Sequence, residues 1–380
     1  MKYSTLKYQS VIEIANNKSL GVQTIGENND FYQVIRNIVG SSVTASSCVG
    51  VYADFLTGMG LDVNIYAKEV NRKGLTLDAL HRAIVKDYAL YNGFAVHINY
   101  NALGQKVGFT PVPFEHVRFA LMDNDGNFSQ VAVHSDWAKE FSKLKRFKKE
   151  DIDFIDLYNP DTAIIEQQAA NAGGWDKYKG QIFYFSGDGD ISYPIPVYAA
   201  ALTDMSSDEG LSNITYRNIR NRFMSGGVVV GVKGKSPDNT NTDDSEGREE
   251  DDTSAIQEQL IGFQGDEEAC KIAYMEVESK EDMPEFLRFE STNYDKDYDK
   301  AEQSVKDKIG RAFKQPPILR AEDIGAGFGA ELMQSSYKYY NSITNPYRVD
   351  VERTMTEIFT NWAAGEVTNF AVQPLKWDAI

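Results

Sequence analysis

Apolar side chains recur every three or four positions in five stretches of the chain, a spacing typical of amphipathic helices. Glycine or proline follows most of these stretches and ends the helical pattern. In the last stretch Pro346 should interrupt or kink the helix, because proline has no backbone N–H to donate. The helices are expected over Phe31–Leu56, Leu75–Tyr91, Val197–Met224, Tyr294–Phe313 and Glu331–Ala363.

Short alternating or β-branched runs elsewhere in the chain predict strands. Turn sequences at 101–104 and 123–126 separate neighbouring runs and indicate hairpins. Residues 1–30 are polar and mixed, which indicates an arm or a loose strand, and one more helix is expected at Ala255–Gly262. Together these elements predict an α+β fold. The strands are expected over Leu61–Tyr66, Phe94–Tyr100, Val107–Pro111, Val117–Met122, Phe128–His134, Gln181–Phe185, Gly226–Val232 and Lys271–Val277.

The helix over Tyr294–Phe313 has the clearest pattern. Its apolar residues follow a 4-3-4-4-3 spacing, and the remaining face is almost entirely charged. Pro316 and Pro317 end it. The apolar residues are Tyr294, Tyr298, Ala301, Val305, Ile309 and Ala312.

Composition narrows the choice of function. The 380 residues include 39 Lys+Arg and 56 Asp+Glu, a formal net charge of −17, and 42% are hydrophobic, enough for a folded core. Tight binding of duplex DNA requires cations that neutralise phosphates, so a tight duplex binder is excluded. Eight acids and one cation, Arg248, occupy Asp238–Asp252, which predicts an exposed acidic loop over 235–254.

Membrane and metal functions receive no support from the sequence. No apolar run reaches the ~18 residues of a membrane-spanning helix, and the N-terminal residues lack a signal-peptide core. Cys48 and Cys270 are far apart, and the four histidines have no metal-binding spacing. We therefore expect no membrane association, no metal and no cofactor.

Three sequence motifs have better structural explanations than functional ones. Gly325–Ala330 fits the dinucleotide pattern G-x-G-x-x-A but lacks the preceding strand, so a flexible loop is the better interpretation. Gly231–Ser236 lacks the first glycine of a phosphate-binding loop. Asp123–Asn127 lacks the first and last ligands of a calcium loop and is interpreted as a hairpin turn.

Asp188 and Asp190 form the one carboxylate pair that a hydrolase could use. They lie in a Gly-Asp-Gly-Asp sequence with no base, nucleophile or metal ligand near them in the chain. A solvated turn is the alternative explanation.

Cations collect near the ends of two long predicted helices. They complement the helix dipole there, and they would also allow a ring of charges between subunits. Both interpretations remain open. The residues are Arg217, Arg220 and Arg222 in the first helix and Lys306, Lys308 and Arg311 in the second.

Three segments occur in a characteristic order in the second half of the chain. Tyr193–Pro196 runs into a long helix that ends with Asn218–Gly227 and a β-run. Lys308–Leu319 contains Ala-Phe-Lys-Gln-Pro-Pro, and Tyr337–Trp362 is a helix with a proline and a glutamate. Together they resemble the portal proteins of tailed bacteriophages, whose signature is Ala-Phe-Gly-Val-Pro-Pro, over residues 180–365.

Two features depart from this family. Lys314 and Gln315 replace the usual Gly-Val. The chain also stops soon after its last helix, so any crown of C-terminal helices is expected to be small or absent.

The resemblance implies a portal-type fold with an α/β wing and paired stem helices around a small α/β clip. A helix pair separated by a β insertion cannot bury its apolar stripes alone, so pairing within and between subunits is expected. The implied parts are the wing (1–196), stem helix 1 (197–225), the clip with its acidic loop (226–290), stem helix 2 (291–313), the tunnel loop (314–335), and the tunnel/wing helix with a minimal crown (336–380).

The same resemblance implies residues near DNA. A glycine-rich loop beside a moving duplex changes shape at little steric cost. The residues of the DNA channel and tunnel loop would be Lys314, Gln315, Arg320, Gly325, Gly327 and Gly329.

The implied function is structural and non-enzymatic. Portal subunits are made in the host cytoplasm and form a ring, typically of twelve copies, at one capsid vertex of the virion. The ring is the head–tail connector and the conduit for DNA packaging and ejection. Its expected partners are further copies of itself, weakly held double-stranded DNA, the terminase large subunit, a head–tail adaptor and the major capsid protein. The alternatives are another phage structural protein, such as a capsid or baseplate component, and a hydrolase that uses Asp188 and Asp190.

Overall fold

The computed structural model describes residues 13–123, 126–138, 147–189, 193–220, 227–232, 272–277, 294–320, 329–365, 367 and 369–377. Within 217–220, 227–232, 272–277 and 294–297 it describes the backbone alone. The chain divides into two compact units. One consists of Met1–Leu202 with Lys308–Ile380, and the other of Thr203–Asp307. Helices and strands occur in both, which confirms the predicted α+β class.

A six-stranded sheet is the centre of the first unit. Its order is β4-β3-β8-β7-β6-β5, and all neighbours are antiparallel except β7 and β8. The predicted hairpins β3–β4 and β5–β6 are therefore confirmed. The strands are β3 (Gly93–Tyr100), β4 (Lys106–Val112), β5 (Val117–Phe119), β6 (Gln130–Val133), β7 (Asp153–Leu157) and β8 (Gln181–Ser186).

Two further strands, β1 (Ile14–Asn17) and β2 (Val22–Ile25), form an antiparallel hairpin. β1 is largely exposed, whereas Val22 and Ile25 of β2 are fully buried. The sequence indicated only an arm or loose strand here.

The predicted helix over Phe31–Leu56 is two helices, α1 (Phe31–Ser41) and α2 (Val43–Thr57), bent by 105°. Ser42 lies between them with an extended backbone, and its Oγ accepts a hydrogen bond from the backbone N–H of Ala45 at 3.0 Å. A serine that caps a new helix offers the backbone an alternative to continuing the old one. The single-helix prediction was therefore wrong at this residue.

The strand expected at Leu61–Tyr66 is also wrong. The backbone N–H groups of Ile65 and Tyr66 both donate to the Asp62 carbonyl at 3.0 Å, and the Asp62 carboxylate accepts from the N–H of Asn64 at 2.8 Å. An aspartate that bonds to the backbone two residues on stabilises a turn. The alternation of apolar residues here does not reflect a sheet.

The next helix, α3 (Leu77–Tyr91), agrees with its prediction and packs on β3. Thr76 caps its start, and Asn92 ends it in the left-handed conformation at φ 59°. β7 and α4 (Thr162–Asn171) were not predicted from the sequence, and in α4 only Ile165 and Ala169 are buried. Such a narrow apolar face gives too weak a periodicity to detect.

Residues of the two long predicted helices form α5 (Leu202–Arg220) and α6 (Tyr294–Ala312). α5 begins later than expected, after a 3₁₀ turn at Ala199–Ala201. Between α5 and α6, β9 (Gly227–Val232) pairs in parallel with β10 (Ile272–Val277). The helix expected at Ala255–Gly262 and the acidic loop over 235–254 lie outside the described residues.

The last helix, α7 (Ala330–Ile358), runs through Pro346 without interruption and packs on α2 in the first unit. It ends five residues before the predicted Ala363. Arg348 is buried, and its guanidinium donates to the carbonyl of Phe55 at the end of α2 (3.2 Å) and to the side-chain oxygens of Asn341 and Asn345 (3.1 Å each).

Among the described residues, no single helix is long and apolar enough to cross a membrane, and the bent pair α1–α2 meets that test only when its two helices are taken together.

Candidate functional site: the turn after α6

The turn over 313–320 joins α6 to the segment that leads to α7. Lys314 ends the helix in the left-handed conformation at φ 54°. The backbone N–H of Lys314 donates to the Arg311 carbonyl at 2.9 Å, and that of Gln315 donates to the Gly310 carbonyl at 3.0 Å. These bonds satisfy carbonyls at the end of α6 that have no partner within the helix. A side chain in this conformation has a steric cost that glycine would not have, so Lys314 keeps the turn under strain.

Gln315 lies in the interior, with only 5% of its surface exposed. Its Nε2 donates to the carbonyl of Cys48 in α2 at 2.7 Å and to the hydroxyl of Tyr340 in α7 at 3.0 Å. The Tyr340 hydroxyl donates to the Phe313 carbonyl at 3.2 Å. One carboxamide therefore ties the end of α6 to both α2 and α7.

The buried surroundings of Gln315 and Tyr340 favour neutral hydrogen-bond donors and acceptors. Burial raises the pKa of the Tyr340 hydroxyl, while its hydrogen bond with Gln315 lowers that pKa by a smaller amount. Tyr340 therefore keeps its proton and remains a donor at neutral pH. The Oε1 of Gln315 is buried without a hydrogen-bond partner, which is a destabilising arrangement.

Arg320 lies against the last turn of α6. Its guanidinium occupies the space that a Cβ on Gly310 would need, so the Arg320 side chain would have to shift if that glycine were replaced. A cation at the C-terminal end of a helix is favourable, because the helix dipole is negative there. Arg320 is half-buried in this position.

The predicted site residues lie in different environments. Lys308, Arg311 and Lys314 are exposed at the end of α6, whereas Gln315 is buried. Lys306 forms an ion pair with Glu302 one turn earlier, at 2.5 Å. Gly329 is exposed and lies just before α7. The backbone of Arg217 and Arg220 lies in the last turn of α5, and Arg222, Gly325 and Gly327 lie outside the described residues.

The Asp188 carboxylate, one half of the proposed hydrolase pair, has a clear structural role. One of its oxygens accepts from Nδ2 of Asn92 at 3.0 Å and the other from the N–H of Ile195 at 2.9 Å. Both oxygens are used to hold the segment after β8 against the end of α3. Asp190 lies outside the described residues. In the described part of the chain no group of three metal-binding side chains comes together.

The sequence identified the turn but not its partners. Cys48 and Tyr340 are 267 and 25 residues from Gln315, and nothing in their own neighbourhoods indicates a contact with it.

Comparison with known proteins gives matches in structure only. No family model and no curated protein matches the sequence. A chain in the neck of the empty gene transfer agent (GTA) particle, computed with C6 symmetry, aligns over 89% of this chain and 82% of its own, with 12% identity and a TM-score of 0.51.

This chain has a fold similar to that of a GTA neck protein. Two related structures give lower scores. They are the virion of the native GTA particle (12% identity, 89% and 82% coverage, TM-score 0.48) and the neck of the native GTA particle computed with C12 symmetry (11% identity, 87% and 81% coverage, TM-score 0.47). At these identities the similarity concerns the fold alone.

Proposed function

We propose that the chain is a structural subunit of a phage-like head–tail connector, of the portal type, and that it acts in the virion as part of a ring. The observation that carries the proposal is the fold similarity to the neck chain of the empty GTA particle, over 89% of the present chain. The order of α5, a β insertion, α6, the Pro-Pro turn and α7 supports the same assignment, because the portal-like sequence segments have this order.

In this proposal α5 and α6 are the stem helices, and β9 and β10 belong to the clip between them. The stripe of α6 is only partly covered within one chain, since Ile309 is fully buried but Tyr298 remains 40% exposed. In this proposal the apolar stripes of the two stem helices would be completed by pairing with a neighbouring copy. The clip would contact the terminase large subunit and later the head–tail adaptor, and the wing would contact the major capsid protein.

The turn after α6 would be the base of the tunnel loop beside DNA. Lys314 is the exposed cation of this turn. Gln315 and Arg320 would instead hold the base of the loop, through the contacts with α2, α7 and Gly310. A chain with a net charge of −17 would repel phosphates on average, so DNA would pass through the ring without tight binding.

Oligomeric state and shape test this proposal directly. The purified chain should form closed rings with a central hole wide enough for duplex DNA, measured by mass photometry and negative-stain electron microscopy. A species that stays monomeric under all assembly conditions would contradict the proposal. Open filaments would contradict the ring, although not the contact between copies.

Variants separate a structural from an enzymatic function. Asp188→Asn should leave ring formation intact, since a carboxamide oxygen still accepts from the N–H of Ile195. If the wild type hydrolyses any member of a broad substrate panel and Asp188→Asn does not, the result would favour a hydrolase over a connector.

A further inference from the structure

The N-terminal hairpin β1–β2 is held to the central sheet by a small apolar cluster within the first unit. Trp137 is fully buried and packs in this cluster with Leu20 and Val22 of the hairpin and Ala132 of β6. Val22 also forms an isolated β-bridge with Ala120, just after β5. The position of the Trp137 ring therefore contributes directly to the attachment of the hairpin.

Trp137 is itself positioned by contacts around its indole. The indole Nε1 donates to the carbonyl of His116 at 2.8 Å. The ring meets the imidazole of His134 edge to face with 5.5 Å between centroids, and that imidazole stacks on Phe147 at 4.0 Å. The guanidinium of Arg118 lies 5.5 Å from the Trp137 ring centroid. His134 is thus part of the packed stack that fixes Trp137.

The Nδ1 atom of His134 lies beside a donor and an acceptor of the same residue. It is 3.1 Å from the backbone nitrogen of Asp136 and 3.0 Å from the backbone carbonyl oxygen of Asp136. A neutral imidazole with its proton on Nε2 accepts the N–H of Asp136, whereas a protonated imidazole carries hydrogen on both nitrogens and can only donate. Protonation therefore replaces one of these hydrogen bonds by the other.

The backbone, rather than the imidazole, has to move in this exchange. A charged imidazole keeps its attraction to the face of the Phe147 ring. The N–H of Asp136, by contrast, then points at the new hydrogen on Nδ1, so the peptide group before Asp136 must turn away. Trp137 is the next residue in the chain, and a turn of this peptide shifts its ring.

The groups around His134 leave it as the residue with this donor–acceptor conflict. His134 is half-buried, so water reaches it. Burial lowers the pKa of His116, Glu115 raises it by a smaller amount, and Arg36, His134 and Arg118 lower it further, so His116 stays neutral to a lower pH than an ordinary histidine. The charged and titratable groups near His134 are Asp136 of its own turn, Glu115 and His116 before β5, Arg118 of β5, Arg36 of α1, and Lys148 and Lys149 after Phe147.

We infer that His134 is an acid-sensitive clamp on the N-terminal hairpin, in which protonation of Nδ1 turns the peptide before Asp136, displaces Trp137 and loosens β1–β2 from the sheet. The proton comes from solvent and returns to it when the pH rises, so the clamp is reversible. The inference goes beyond the proposed connector function and does not depend on ring formation.

Hydrogen exchange of the full chain at pH 7.5 and 5.0 tests the clamp, with rates corrected for the effect of pH on intrinsic exchange. Peptides covering Ile14–Ile25 should exchange about fivefold faster at pH 5.0, the size expected for one lost hydrogen bond. Peptides covering β3 and β4 should keep their protection, because they report the stability of the sheet itself.

Two substitutions of His134 separate its proton from its packing. In His134→Asn the Oδ1 atom still accepts the N–H of Asp136 and does not titrate, so the hairpin should stay protected at both pH values. In His134→Phe the aromatic contacts remain but the acceptor is lost, so the hairpin should exchange fast at both. His116→Gln is the matched control, which removes the neighbouring imidazole and should keep the wild-type response.

Equal protection of the hairpin at pH 7.5 and 5.0 in the wild type overturns the inference. A response that persists in both His134→Asn and His134→Phe, or that is lost in His116→Gln, also overturns it. Loosening of β3 and β4 by the same factor as the hairpin would show acid unfolding of the whole unit and would reject a local clamp.

Discussion

Lys106 is a lysine placed in the protein interior, with 3% of its surface exposed. Its Nζ donates to the hydroxyl of Tyr158 at 3.0 Å, to that of Thr360 at 3.2 Å and to the carbonyl of Glu357 at 3.4 Å. Burial lowers the pKa of Lys106 from 10.5 to about 8, and the Glu357 carboxylate raises it by a smaller amount. The residue holds the end of α7 beside the start of β4.

The lowered pKa of Lys106 predicts a stability that increases with pH. Between about pH 8 and 10.5 the unfolded chain binds more protons at this residue than the folded chain, so the unfolding free energy rises with pH in that window and falls as pH drops through 8. After a discount for screening by solvent, the contribution is about 1–2 kcal/mol. Urea unfolding at pH 7.5 and 9.5 should show this rise in the wild type relative to Lys106→Met. Parallel curves for the two proteins would contradict it.

The buried carboxylate of Asp87 makes a contribution to stability that decreases as pH rises. Its carboxylate accepts from the N–H of Phe114 at 3.0 Å, and burial raises its pKa to about 7, while that hydrogen bond lowers the pKa by a smaller amount. The folded chain binds more protons here between pH 3.8 and 7, so this contribution to stability is lost as pH rises through 7.

Replacing the Asp87 carboxylate with a neutral group should remove the loss of stability that accompanies its ionisation. Between pH 5 and 8 the unfolding free energy of the wild type should fall by about 2 kcal/mol relative to Asp87→Asn, because the carboxamide does not ionise. Paired urea titrations measure the difference. A wild type that follows the pH profile of the variant would show that the carboxylate is ionised in the folded chain at pH 5.

Lys314 carries backbone strain that glycine would not. In the left-handed conformation the Cβ of an L-residue is too close to the next carbonyl oxygen, which costs about 1 kcal/mol. Lys314→Gly should therefore raise the unfolding free energy by about 0.5–1 kcal/mol, after the entropy that glycine gains in the unfolded chain. Lys314→Ala keeps the Cβ and is the control, with no gain expected. Equal stability of the two variants would show that charge, not strain, decides this position.

At the scale of elements, the bend between α1 and α2 depends on one side chain. Ser42 is fully buried, and its Oγ accepts a hydrogen bond from the N–H of Ala45 in the first turn of α2. Without this cap, the N–H of Ala45 would lose its only side-chain acceptor in a buried position.

Ser42→Ala should lower the unfolding free energy by about 1 kcal/mol. Chemical denaturation measures the loss, with Ser47→Ala as an exposed control on the same helix that should be neutral or stabilising. If α1 and α2 instead fused into one straight helix, the far-ultraviolet circular dichroism of Ser42→Ala would gain helical signal without a loss of stability.

At the scale of the whole molecule, charge predicts how the ring treats DNA. The affinity for duplex DNA should be low and should change little between 50 and 200 mM salt, because few phosphates are neutralised by a chain of charge −17. Fluorescence anisotropy with a labelled duplex measures this on assembled rings. A steep loss of affinity with salt would show that cations such as Lys308, Arg311 and Lys314 dominate the channel.

Periodicity and turn chemistry in the sequence determined α3, the hairpins β3–β4 and β5–β6, most of α6 and α7, and the position of the Pro-Pro turn. These features depend on residues close together in the chain, where spacing and special residues act directly. The portal resemblance also came from local segments in a fixed order, and the structural similarity to a GTA neck chain agrees with it at the level of the fold.

Only the tertiary structure decided which residues of the turn after α6 face the interior. Gln315 bonds to residues 267 and 25 positions away, and Arg320 packs on Gly310 across the end of a helix. Polar side chains have no periodicity that reveals such partners, because a hydrogen bond needs only one donor and one acceptor brought together by the fold.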